Sequence, residues 1–147
     1  MISKIAKIGL GLGLCMTLSF ATTSDEAKTF VEKGAQLCAD KGVDACLKAF
    51  NVKEGEFVQG ELYIFAYDFK GTVQAFGGKP VMVGKNLINV KGAGGKMVIQ
   101  ELIKTAKTGE GWVDYKWSNP TTKKTADKTS FVKKINDNLW IGAGYYK

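Results

Sequence analysis

The sequence predicts an α+β domain in which helices pack on an antiparallel sheet. Three observations point there. A long amphipathic stretch opens the domain, an aromatic, β-branched strand follows it, and three strands joined by tight turns close the chain. Hairpin-linked strands pair antiparallel, and the amphipathic helices must bury their apolar faces against that sheet.

The first element precedes the domain. Lys4 and Lys7 lead into the apolar run 8–20, which carries Gly9, Gly11 and Gly13 and ends at Ser19-Phe20-Ala21. A basic start, a short apolar middle and a small-residue exit read as a secretory signal peptide over residues 1–21, cleaved after Ala21. The run is shorter than the roughly 20 residues of a spanning helix. Leu14 before Cys15, where a lipoprotein signal needs a small residue, argues against a lipid anchor. Residues 22–147 are then one domain, periplasmic or secreted, with no membrane insertion after cleavage.

Ser24-Asp25-Glu26 supplies a capping residue and acids suited to the positive end of a helix dipole. Ala27, Phe30, Val31, Gly34, Ala35, Leu37 and Cys38 recur at helical spacing, which predicts a helix over 24–40. Gly42 stops it, and a shorter helix over 43–50 follows. Cys38 and Cys46 flank that break. In an oxidising compartment an isolated pair reads as a structural disulfide rather than a redox or metal pair, because the spacing is too long for Cys-x-x-Cys and no third ligand accompanies it.

Residues 61–68 form a strand whose alternation puts Leu62, Ile64 and Ala66 on one face and Tyr63, Phe65 and Tyr67 on the other. The aliphatic face is expected against the first helix. Asp68-Phe69-Lys70-Gly71 is a turn, with residues 72–76 as the hairpin partner. Residues 81–95, rich in glycine, read as irregular, and Gly92-Ala93-Gly94-Gly95 is a turn before a helix rather than a phosphate loop. Val98, Ile99, Leu102, Ile103 and Ala106 share one face of a helix over 96–107. Strands over 112–117, 126–135 and 139–146 finish the chain. Val113, Tyr115 and Trp117 lie opposite Trp112, Asp114 and Lys116, while Phe131, Lys133 and Ile135 share a face.

Composition narrows the chemistry. All 21 basic residues are lysine, and histidine and arginine are absent. That removes the imidazole base, the usual haem and zinc ligands and the bidentate guanidinium clamp. Losing Lys4 and Lys7 takes the net charge from +7 to about +5. The lysines are dispersed and read as solvated strands and turns, not as a nucleic-acid surface. No nucleophile–base pair, metal set or cofactor motif is present, so an enzyme is not expected and no cofactor is called for.

Aromatic walls with lysine and tyrosine tips suit a pocket for a small organic anion. Phe65, Tyr67, Tyr115 and Trp117 are the expected walls, and Lys133, with Lys116 as its alternative, the charge. The alternative is an interaction protein with a collapsed pocket and a lysine-rich surface that docks an acidic partner.

Several blocks in order resemble the single (small) Cache domain family. They are Leu62-Tyr63-Ile64-Phe65-Ala66-Tyr67-Asp68, Gly71-Thr72-Val73, Val83-Gly84-Lys85-Asn86-Leu87, residues 111–117 with Asn119-Pro120, Phe131-Val132-Lys133, and residues 140–146. The resemblance implies a PAS-like fold, with a long N-terminal helix on a five-stranded antiparallel sheet and a ligand pocket on the other face. It further implies an extracytoplasmic sensing role for small carboxylates. The sequence shows no second spanning helix or signalling module, so this resembles a freestanding version that presents its ligand to a membrane receptor or other periplasmic protein.

Overall fold

The computed structural model describes residues 22–147. The expected signal peptide, residues 1–21, lies outside the described residues. Helix α1 spans Ser24–Lys41 and α2 Val43–Phe50. The cap of α1 is Thr23, one residue before the expected Ser24. Its side chain accepts from the Glu26 N–H while the Glu26 carboxylate accepts from the Thr23 N–H, a reciprocal capping box. Gly42 ends α1 with φ +89°, a conformation that glycine adopts without a Cβ penalty. The chain reverses there, and Cys38 and Cys46 are bonded with their Cα atoms 5.0 Å apart.

Seven strands follow the helical pair: β1 Val58–Gln59, β2 Leu62–Tyr63, β3 Phe65–Tyr67, β4 Val73–Phe76, β5 Glu110–Ser118, β6 Thr125–Asn136 and β7 Leu139–Tyr146. A 3-10 turn, Pro80–Met82, and helix α3, Val98–Ala106, lie between β4 and β5. Strands β3 to β7 build a five-stranded sheet in the order β4-β3-β7-β6-β5, every pair antiparallel. The last strand therefore sits at the centre, between the early hairpin and the late one. The expected first strand is broken at Ile64, and its leading residues pair with β1 in a two-residue ribbon that the sequence did not announce.

The sheet divides two cores. Against α1 and α2 pack Leu62, Ile64, Ala66, Phe131, Leu139 and Ile141, as the aliphatic face of the aromatic strand required. Gly34 lets α1 approach closely: a Cβ there would stand 3.2 Å from the Phe50 ring and 3.3 Å from Ile141. On the other face, α3 lays Val98, Ile99, Leu102, Ile103 and Ala106 over Tyr63, Phe65, Tyr67, Tyr115 and Trp140. The expected face of α3 is thus the one buried.

Candidate functional site

The α3 face of the sheet is assembled from aromatic side chains at alternate positions. Phe65 and Tyr67 project from β3, Tyr115 and Trp117 from β5, and Trp140 from β7. Tyr67 stacks on Trp140 with ring centroids 5.0 Å apart and planes 8° from parallel, and the Trp140 indole N–H donates to the Asp68 carbonyl at 3.1 Å. Phe65 meets Trp140 edge-on at 6.1 Å, and Tyr115 meets Trp117 edge-on at 5.9 Å. Glycines on β7 clear the floor. A Cβ at Gly142 would lie 2.6 Å from the Phe65 ring, and one at Gly144 would collide with Ser130 and the backbone of Thr129.

A cavity of about 10 Å³, measured as the volume swept by the centre of a water-sized sphere, remains among Tyr63, Phe65, Tyr67, Tyr115, Trp117 and Lys128, roofed by Ile99 and Leu102 of α3. That is room for about one water molecule. Tyr63, Phe76 and Trp117 also line a much larger outer cleft of about 510 Å³, so the two spaces share a wall.

Of the residues singled out in the sequence, Phe65, Tyr67, Tyr115 and Trp117 come together around the cavity. Lys116 and Lys133 do not. Lys116 alternates with Tyr115 and points away from it, holding Asp127 at 2.6 Å at the exposed surface. Lys133 pairs with Glu110 at 3.7 Å on the α1 side, beside Ala35 and Cys38. The reason is register. Tyr115 pairs with Lys128 and Val113 with Ser130, so the residues of β6 that share the aromatic face are Lys128, Ser130 and Val132. Lys133 is five positions from Lys128, and an odd offset along a strand changes face.

The cation on the aromatic face is therefore Lys128, which sequence reasoning missed. It is 1% exposed. Its Nζ donates to the Tyr63 hydroxyl at 3.2 Å and lies 4.4, 5.3 and 5.0 Å from the ring centroids of Tyr63, Phe65 and Tyr146. An ammonium carries three donors, and among the described residues this one makes one conventional hydrogen bond. The ion pairs of the described residues belong to Lys33, Lys116, Lys133, Lys134 and Lys147.

Burial pulls the Lys128 ammonium down to about 7, against a smaller upward pull from Glu61. Burial also raises Tyr63, Tyr67 and Tyr115 well above the usual phenol range, and takes Tyr146 to about 12, so these hydroxyls stay protonated at neutral pH. The Tyr115 hydroxyl, on the cavity wall, shares a hydrogen bond of 2.7 Å with the buried Ser130 hydroxyl. The two acids flagged in the sequence have local roles. Asp68 accepts from the Lys70 and Thr72 N–H groups, each at 2.9 Å, in the β3–β4 turn. Asp114 is held below the usual carboxylate range, first by the Thr129 hydroxyl and then by Lys147.

A sheet with helices on its α1 face and a cation-bearing aromatic cavity under α3 invites comparison with extracytoplasmic sensors. The sequence profile described as Cache domain matches residues 48–147. The chain belongs to the Cache domain family. Cache domains of chemotaxis proteins and histidine kinases are extracytoplasmic, sensory and ligand-binding rather than catalytic. The domain is 39% identical over 85 residues to the sensor histidine kinase MctS of Rhizobium johnstonii, a match covering 57% of this chain and 18% of the kinase. The matched part is thus under a fifth of that relative's length.

Among solved structures it resembles a methyl-accepting chemotaxis protein from Vibrio parahaemolyticus, with a TM-score of 0.72, 27% identity, and coverage of 83% of this chain and 86% of that one. A Cache chemosensory domain solved for its recognition of carboxylic acids has a TM-score of 0.63 at 22% identity, over 83% of this chain and 86% of its own. The likeness to that protein is one of fold. Among the described residues no helix is long and apolar enough to cross a membrane.

Proposed function

We propose that this Cache domain binds a small organic anion, a carboxylate first of all, in the aromatic cavity, with Lys128 as the counter-charge. One observation carries the reading: a lysine 1% exposed, facing a cavity, with one conventional hydrogen bond among the described residues. A buried ammonium with no counter-charge beside it and one hydroxyl as its conventional acceptor is costly, and an anion placed against it recovers part of that cost. A charge-assisted contact of this kind is worth roughly 1.5–3 kcal/mol. Tyr63 and Tyr115 add hydroxyls that suit carboxylate oxygens, Tyr115 being oriented by Ser130, while Phe65, Tyr67 and Trp117 exclude water. The cavity holds about one water, so a ligand of acetate size requires a wall to move outward. Trp117, half-buried and bordering the outer cleft, is the wall best placed to do so.

We place the domain outside the cytoplasm, as residues 22–147 after cleavage at Ala21. It acts there as a binder and not as a catalyst. Mass spectrometry of the exported protein should then give an N-terminus at Thr22.

The function is tested by thermal-shift and calorimetric titration with acetate, propionate, lactate and pyruvate. A dose-dependent rise in melting temperature with one of these is expected. In Lys128→Met the affinity should fall by 10-fold to more than 100-fold, the equivalent of roughly 1.5–3 kcal/mol. Lys133→Ala should bind within about twofold of the parent, because Lys133 lies on the opposite face of the sheet from the cavity. A flat response to the whole panel, or full binding by Lys128→Met, would refute the reading.

A further inference from the structure

The outer cleft carries charge that a ligand confined to the inner cavity would not use. It lies between the Pro80–Met82 turn and the turn after β5, and Lys53, Lys79 and Lys123 line it with no acidic residue among the lining. Some surface lysines hold carboxylates, as Lys33 does Glu56 and Lys116 does Asp127, but these three, like most lysines of the described residues, take part in none of the ion pairs. What sets them apart is that they line one concavity with no acid beside them. Three cations around one concavity repel one another and concentrate positive potential there.

The placement of Lys123 is a second, independent observation. It has φ +61°, and among the described residues it is the non-glycine residue in the left-handed region. That conformation normally falls to glycine, asparagine or aspartate. The surrounding turn holds it there. The Lys123 N–H donates to the Asn119 carbonyl at 2.9 Å. The Asn119 side chain, 4% exposed, accepts from the Thr121 N–H at 2.8 Å and donates to Glu61 at 2.8 Å. The turn is thereby tied to the residue that precedes β2, on the same side as Tyr63 and Lys128. Tyr63, Phe76 and Trp117 line both this cleft and the inner cavity that holds the buried ammonium.

We propose that the cleft is a second anion subsite of the same ligand, which makes the ligand a short dianion of the dicarboxylate class. One carboxylate reaches Lys128, the chain crosses between Tyr63, Phe76 and Trp117, and the second carboxylate rests among Lys53, Lys79 and Lys123. This rests on the cavity reading above and extends it outward.

The test is calorimetry on the exported, disulfide-bonded protein at constant ionic strength. Monocarboxylates and dicarboxylates of equal carbon number are compared: butyrate with succinate, valerate with glutarate, hexanoate with adipate. Wild type is set beside Lys79→Gln/Lys123→Gln, both surface changes, and the melting temperature confirms that the variant folds. At one chain length the dicarboxylate should bind at least tenfold tighter than its partner. The double variant should lose that gain while its monocarboxylate affinity changes less than twofold. If monocarboxylates bind through Lys128 and no dicarboxylate surpasses its partner, the subsite is wrong and the cavity reading stands. A dicarboxylate gain that survives in the double variant also overturns it. If neither series binds, both proposals fall together.

Discussion

The two faces of the central sheet are built from the same strands and have opposite character. On the α1 face, Ala27, Phe30, Val31, Phe50, Ile64 and Ile141 close over each other, and the buried hydroxyl of Thr129 at its margin is already taken by Asp114. On the α3 face stand Tyr63, Tyr67, Tyr115 and Lys128, arranged around a cavity, with Ser130 bonded to Tyr115 behind it. Alternation along a strand lets one chain carry both programmes, since each successive residue serves the other face. The first face has only to be dense. The second keeps polar groups out of water and holds them for a partner, at a cost in stability that the first face must offset.

The largest expected effect breaks the dense face. Phe50 is fully buried, packs against Gly34 and meets Phe57 edge-on at 4.9 Å. Phe50→Ala should cost about 3–5 kcal/mol in denaturant unfolding, while folded molecules keep their anion affinity within twofold. Next comes the clamp on that face. Replacing Cys38 and Cys46 together by alanine should cost roughly 2–3 kcal/mol, the amount expected for closing so short a loop, and should also spare binding.

Smaller effects sharpen the other face. Lys128 titrates at about 7 in the folded protein and near 10.4 unfolded, so between those values the unfolded chain binds more protons and stability rises with pH. Measured against Lys128→Met, wild type should gain about 2 kcal/mol between pH 7 and pH 9. Anion affinity should move the other way. It should be highest below pH 7, where the ammonium is already charged, and should fall above it by up to about tenfold per pH unit until the ligand-bound ammonium also deprotonates. The groups facing Lys128 are Tyr63 and Tyr146, with Glu61 beyond them, and both phenols are raised, so they stay neutral across that range. An affinity that is flat from pH 6 to pH 9 would exclude Lys128 as the charge.

Much of the fold was legible because its causes are local. Gly42 stopped α1, the 3.6-residue pattern of 98–106 chose the buried side of α3, and the alternation of 62–67 separated the two cores before any pairing was known. The broken strand at Ile64 and the β1–β2 ribbon were not legible. Their cause is tertiary: the Ile64 N–H donates to the Phe57 carbonyl, and its own carbonyl accepts from the Gly77 N–H.

For the candidate site, alternation grouped Phe65 with Tyr67 and Tyr115 with Trp117, and that grouping is local as well. What it lacked was register. Lys128 sits in the polar run Thr125-Ala126-Asp127-Lys128-Thr129, which as a sequence looks like solvated strand, and in a lysine-rich chain nothing marks it from its neighbours. Pairing with Tyr115 on one side and Tyr146 on the other puts it under aromatic rings, and the same pairing turns Lys133 to the α1 side. Local pattern alone accounts for the helices, the long late strands and their inner and outer faces, the helix break between the two cysteines, and the aromatic character of one face. Which lysine meets that face is set by the pairing of β5 with β6, because side-chain periodicity is a property of each strand alone, whereas register is a property of two.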